Sequence, residues 1–343
     1  MRWPWGRERL EFFTVEELQS YLYVHSGIDQ HSVFMDAFME AILATIAGST
    51  VVSVAVAKLI DTIGGQIGLH REANNIRRVG QANADVVVAT AKAKVESDII
   101  KAEGKIAIAD LQSRAEERVR NQENQRQANI EAIAGKAAKE LPEQVSDVPV
   151  EPDWTAQFFE SCKDVSDEQM RTVWAKLLAG EVTKPGSFSL RTLACVKVLS
   201  KPDADLFTRF CSALWKTENG SVPLLYSPDN WLGVEFEDFM RLDSLNLISF
   251  SPGTTGYELQ FNAIPALHWQ YFGRQHILSH PDTRTLKLGV ALLTEMGKEL
   301  AVISGSVPDE PYRQSTVYKL RGLGWTVVDV QENTVEHSST NIQ

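Results

Sequence analysis

Apolar positions change their period along this chain, and each change marks an element. Thr14 and Glu17 form a capping box, and Leu18, Tyr21 and Leu22 recur at helical spacing, so a short amphipathic helix is predicted there. Between Glu40 and Lys58 the chain runs AILATIAGSTVVSVAVA, residues 41–57, without a charge. As a helix this stretch would span roughly 26 Å, near the thickness of a hydrocarbon core. It is apolar on every side, so it is buried either in lipid, as a candidate membrane-inserting segment, or in protein, and Ala44 and Gly48 allow close helix contact in both media. In the membrane reading, Arg71, Arg77 and Arg78 place everything after Lys58 in the cytoplasm.

From Met39 to Asp153 there is no Phe, Tyr or Trp, and between Pro4 and Pro142 there is no proline. Such a stretch forms uninterrupted helix more readily than a globular core. Residues 71–141 read as one long charged helix, with 13 basic and 11 acidic residues between 71 and 140. Ala84, Val88, Ala91, Val95, Ile99, Ala102 and Ile106 are spaced 4, 3, 4, 4, 3, 4, an eleven-residue pattern that suits straight or right-handed packing of helices side by side. At about 105 Å, such a helix is too long for one subunit to cover. The seven residues are therefore the expected seam of a parallel homo-oligomer, the competing reading being a helix laid on its own C-terminal body. Gly80, Gly104 and Gly135 are expected bends.

Pro142 ends the helix, and 142–152 reads as a linker after an N-terminal region of helices, 1–70, and the long helix. Residues 153–210 form a helical subdomain, with helix caps expected at Asp153, at Ser166 (boxed with Gln169), at Ser187 and at Ser200 before Pro202. In 211–330 a helix bearing Phe236, Phe239 and Met240 leads into a hairpin whose expected turn is SPGTTG, 251–256, the outline of a winged-helix-like module. Thr294 caps a further helix, Tyr312–Arg321 is helix stopped by Gly322 and Gly324, Trp325–Val330 is a strand, and 331–343 is a flexible tail. The fold class is mainly α with an α+β C-terminal part: a long N-terminal helix or coiled coil, a helical cluster and a winged-helix-like α/β module.

Composition changes this picture little. At 343 residues, 43% hydrophobic and 23% charged, the chain is an ordinary soluble body of two or three domains, and six of its eight tryptophans follow the linker, so the main core is C-terminal. Residues 1–25 interleave Arg, Glu and aromatics where a secretory signal needs a basic start and an apolar run, so no export is expected. Cys162, Cys195 and Cys211 match no disulfide or zinc spacing and read as buried thiols in a reducing cytoplasm. With 34 basic against 45 acidic residues the net charge is −11, the wrong sign for coating nucleic acid. The chain has no Gly-rich phosphate loop, no Gly-x-Ser-x-Gly elbow and no His-Glu-x-x-His, so neither enzyme activity nor a cofactor is expected.

The strings DWTAQFFESCKD, SDEQMRTVWAKLLAGEVTKPGSFSLRTL (Ser166 to Leu193), WQYFGR and ALLTEMGKELAVISGS (Ala291 to Ser306) closely resemble the bacterial family catalogued as domain of unknown function 2806, from about Lys58 to Ser306. WAKLLAGE and PGSFSLRT are also similar to abortive-infection alpha proteins linked to phage defence. The resemblance implies a bacterial protein and carries over no catalytic residue.

Two clusters are candidates for chemistry. Glu181, Ser187, Ser189 and Arg191 surround a helix start that could receive an anion; the alternative is a structural corner in which Ser187 caps and Glu181 pairs with Arg191. His276 and His280, with His268 nearby, are weak metal candidates without an acidic or cysteine co-ligand, against the reading of hydrogen-bonded strand residents. The expected function is a non-enzymatic homo-oligomeric scaffold or effector in phage defence, partnered with itself, with an unidentified protein and with the cytoplasmic face of the inner membrane. The alternative is a nucleic-acid-binding winged-helix regulator. Against it, the chain from residue 142 carries 17 basic and 26 acidic residues.

Overall fold

The computed structural model describes strands 12–14 and 51–53, residues 55–56, 58–60 and 62–63, and residues 95–330 apart from 227–231, 254–255 and 264–265; for the two strands and for 95–107 it describes the backbone alone. The chain divides into two compact units, 1–197 and 198–343.

In the first unit, β1 (Phe12–Thr14) pairs antiparallel with β2 (Val51–Ser53). Thr14, expected as a helix cap, thus ends a strand. The valine pair inside the uncharged stretch is extended rather than helical, as β-branched side chains favour. The helix expected after Thr14, the rest of the stretch up to residue 50, and residues 71–94 lie outside the described residues. Among the described residues, no helix is long and apolar enough to cross a membrane.

Helix α1 (Val95–Glu140) has 46 residues, so it is about 69 Å long. It stops two residues before Pro142, and neither Gly104 nor Gly135 interrupts it. It packs against α3 (Glu168–Thr183), burying Asn129, Ile133, Ala134, Ala137 and Ala138 near its C-terminal end. Around them, α2 (Pro152–Cys162) and α3 supply an aromatic core: Phe158 stacks on Trp154 at 5.2 Å and meets Trp174 edge-on at 5.4 Å.

Three of the expected caps move. Helix α2 begins at Pro152, so Asp153 lies inside its first turn and caps nothing. Asp167, not Ser166, caps α3, its side chain accepting from Met170 N. Ser189, not Ser187, caps α4 (Leu190–Val198), its hydroxyl accepting from Thr192 N at 3.3 Å. The last shift has a packing cause. Phe188 must reach the core, where its carbonyl accepts from Trp154 Nε1 and its ring covers Gly180; a Cβ at Gly180 would stand 2.7 Å from that ring. The helix therefore waits until the aromatic is buried. Segment 142–152 is pinned within the unit, with Ser146 N donating to Thr183 O, Lys58 Nζ donating to Ser146 O and Val182 O, and Val150 buried.

The second unit starts with α5 (Lys201–Cys211), capped as expected by Ser200, which forms a reciprocal box with Asp203. Then follow β3 (Leu214–Thr217), β4 (Gly220–Pro223), α6 (Phe236–Ser244), β5 (Ile248–Phe250), β6 (Tyr257–Gln260), β7 (Ala266–Tyr271), β8 (Arg274–Ser279), β9 (Thr285–Gly289), β10 (Ala291–Leu293), α7 (Glu295–Ala301), α8 (Glu310–Gly322) and β11 (Thr326–Val330). The sheet order is β11-β8-β7-β3-β4, antiparallel throughout.

The hairpin expected across 251–256 does not form. β5 pairs instead with β10 and β6 with β9, and these pairings nest around β7–β8. These three nested antiparallel pairs make an interrupted ribbon, divided among three sheets, whose innermost pair turns at Phe272-Gly273, both at positive φ, the geometry of a tight two-residue turn. Ser251 N donates to Val290 O, so the chain just after β5 still follows the β10 side. Gly324, at φ 89°, makes the left-handed stop after α8, whereas Gly322 is still helical. Thr294 caps α7 as expected.

Candidate functional site

The corner between α3 and α4 is built around Glu181, 2% exposed. Its two carboxylate oxygens accept from Gly186 N (2.6 Å) and Phe188 N (3.0 Å). These are the backbone donors an external anion would use, and the chain supplies its own anion to them. Ser187 donates to Lys184 O, Ser189 is the cap, and Arg191 is exposed. Lys58 sits nearby on the last carbonyls of α3; burial lowers its pKa, opposed by the fields of Asp147 and Glu181. The arrangement neutralises a helix C-terminus and fixes a turn.

The histidines separate. His276 is fully buried, edge-on to Trp215, with Nδ1 3.0 Å from Arg274 O and Nε2 3.0 Å from Asp329 Oδ1 and 3.2 Å from Arg313 Nη1. Arg313, 8% exposed, also bonds Glu310 at 2.6 Å and Asp329 at 3.2 Å. Burial above all pushes the His276 pKa down, and Arg313 holds the Glu310 carboxyl at about 2. His280 Nδ1 accepts from Asp282 N and Thr283 N, and His268 is exposed. Both candidate metal histidines thus have hydrogen-bonded nitrogens, and no group of three His, Cys, Asp or Glu that could hold a metal ion occurs among the described residues. The cysteines are free and buried, which pushes Cys195 up to about 11 and Cys211 to about 12.

Sequence reasoning missed two features. Arg313 and Asp329, far apart in sequence, give no local signal. The other is a cavity of about 690 Å³ in the second unit, lined by Tyr226, Gly256, Lys287, Tyr318, Lys319, Arg321 and Gly322 among others. Its one legible sign is Gly322, the last residue of α8, which has no positive φ and no neighbour that a Cβ would meet.

The expected seam begins in residues 84–94, outside the described residues, and the side chains of Val95, Ile99, Ala102 and Ile106 are likewise not described. Farther along α1, Ile108, Leu111 and Val119 are 57%, 61% and 54% exposed. At 100° per residue, Ile108 is rotated about 200° from Ile106. The row Ile108, Leu111, Ala115, Val119, Gln122, Arg126, Ile130, Ile133, Ala137 repeats spacings of 3, 4, 4 and ends on residues buried against the first unit's own helices.

No curated protein and no solved structure matches the chain. The family model described as Protein of unknown function (DUF2806) matches residues 113–316, more than half of the chain and including the Glu181 corner, the ribbon and, of the Arg313 cluster, His276, Glu310 and Arg313 but not Asp329. The chain belongs to the DUF2806 family.

Proposed function

We propose that the protein is a non-enzymatic scaffold or effector that assembles with copies of itself through α1, with the second unit free to engage a further partner. The supporting observation is that one face of one helix is covered by its own chain at one end and bare at the other. Ile133 and Ala137 are buried, while Ile108, Leu111 and Val119, on the same eleven-residue row, are more than half exposed. A second copy is the favoured occupant because residues 103–126 hold five acidic and five basic side chains, in a chain whose net charge is −11. Copies that repel elsewhere are not repelled here.

Magnitude limits how much this row does alone. Covering the exposed parts of these three apolar side chains yields about 3 kcal/mol per copy, against an association cost of about 4–15 kcal/mol. Assembly therefore needs the helix upstream of Ile108 as well, where Ile99 and Ile106 carry the other apolar row. The coiled-coil arrangement of α1 is part of this proposal, as is a setting in phage defence, which rests on the likeness of WAKLLAGE and PGSFSLRT to abortive-infection alpha proteins.

Light scattering of the full chain in mild detergent, beside Leu111→Asp and Ile99→Asp, is the test. A multimer that either variant reduces is expected; a wild-type monomer at micromolar concentration removes the proposal. The winged-helix, nucleic-acid reading is weaker. Its hairpin is absent at 251–256, and its recognition helix, α6, follows Glu235 and carries Glu237 and Asp238 against Arg241, which is itself paired with Asp203.

A further inference from the structure

We propose that the cavity between β9 and the last turn of α8 binds a small phosphorylated ligand with a flat ring, a nucleoside phosphate in chemical class. Its volume, about 690 Å³, is that of a small-molecule site. Residues 198–343 carry 11 basic and 17 acidic side chains, yet Lys287, Lys319 and Arg321 converge on this cavity, and among the described residues no carboxylate lines it. Glu258, opposite Lys287 in the strand register, is not part of the lining.

The alternative for the cations is structural. Lys319 and Arg321 complement the negative end of α8, and Arg321 Nη2 donates to Val327 O at 2.9 Å. That role accounts for neither Lys287, on a strand, nor Gly322. Gly322 is the last residue of α8, directly before the left-handed stop at Gly324. Gly322 has no positive φ, and a Cβ built on it would meet nothing within 4 Å, so neither the backbone nor the packing asks for glycine. Bare backbone at this position leaves space.

That space lies beside an aromatic ring. Tyr318 is one turn before Gly322 on the same helix face and is 77% exposed. A flat ring can therefore lie against Tyr318 over the bare backbone of Gly322, with its phosphate among the three cations. Side chains larger than hydrogen at 322 would fill the slot without touching the fold.

Isothermal titration of the full chain with AMP, ATP and inorganic phosphate, at low and physiological salt, reads the site directly. AMP and ATP should bind more weakly as salt rises, and inorganic phosphate at least tenfold more weakly than either. Lys319→Glu should weaken nucleotide binding at least tenfold. Gly322→Leu should abolish it without lowering the melting temperature, which separates a filled slot from a damaged fold. The proposal is overturned by the absence of nucleotide binding, by equal affinity for inorganic phosphate, by binding that survives Gly322→Leu, or by a site that takes a single-stranded oligonucleotide and no mononucleotide. None of these outcomes depends on whether α1 assembles copies.

Discussion

Glu181 and Arg313 are both buried charges, one in each unit, and they do opposite kinds of work. Glu181 accepts from backbone amides five and seven residues ahead of it, so it shapes a single turn. Arg313 reaches Glu310 in its own helix, His276 on β8 and Asp329 on β11, so it fastens three elements together. The local arrangement is the more fragile. The Phe188 amide facing Glu181 is buried and has no water to turn to, whereas Glu310 and Asp329 have 46% and 42% of their side chains exposed and can rehydrate.

Removing each charge should expose that contrast. Glu181→Ala leaves Phe188 N buried without its acceptor and takes a counter-charge from Lys58; a loss of about 3–5 kcal/mol is expected. Amide exchange at Gly186 and Phe188 should rise together with a fall in denaturant midpoint. Protection that persists in the variant would mean that the packing of Phe188 on Gly180 holds the corner. Arg313→Leu should cost less, about 1–3 kcal/mol. Its signature is the Glu310 carboxyl, held at about 2 by Arg313 and expected to titrate in the ordinary carboxylate range once the guanidinium is gone, as NMR would show.

The contrast also accounts for what is legible in the chain. Caps that depend on a few neighbours read correctly where a single candidate exists, as at Ser200 and Thr294. Where two cappers stand close together, as at Ser166-Asp167 and Ser187-Phe-Ser189, local chemistry is nearly degenerate, and burial of an aromatic in the second case chooses. The ribbon is hidden for a similar reason. SPGTTG has turn residues, but its flanking strands find their partners 25 to 45 residues away, while Phe272-Gly273, between the alternating residues of β7 and β8, carries the true turn signal. The corner is contiguous: Phe188 lies within eight residues of both Gly180, which its ring covers, and Glu181, which its amide bonds. The Arg313 cluster and the cavity have no such contiguous imprint.

The smallest expected effect concerns pH and the two titrating partners of Arg313. His276 is held below its ordinary value of 6.5, first by burial and then by the neighbouring guanidinium, with Asp329 opposing. As pH falls through about 6.5, the unfolded chain takes up a proton that the folded chain refuses, so stability declines from that point and stops declining once the folded histidine titrates. Glu310 acts lower. Its folded value of about 2 lies under the ordinary 4.5, so its contribution is complete above pH 4.5 and disappears as pH falls toward 2. The two windows open at different points, near pH 6.5 and near pH 4.5, which makes their onsets separable. Denaturation midpoints measured from pH 7.5 to 5 should slope downward for the wild type and flatten for His276→Gln, while the decline below pH 4.5 remains in both. Equal slopes above pH 5 would mean that Asp329 offsets burial and that His276 titrates in the folded state as it does in the unfolded one.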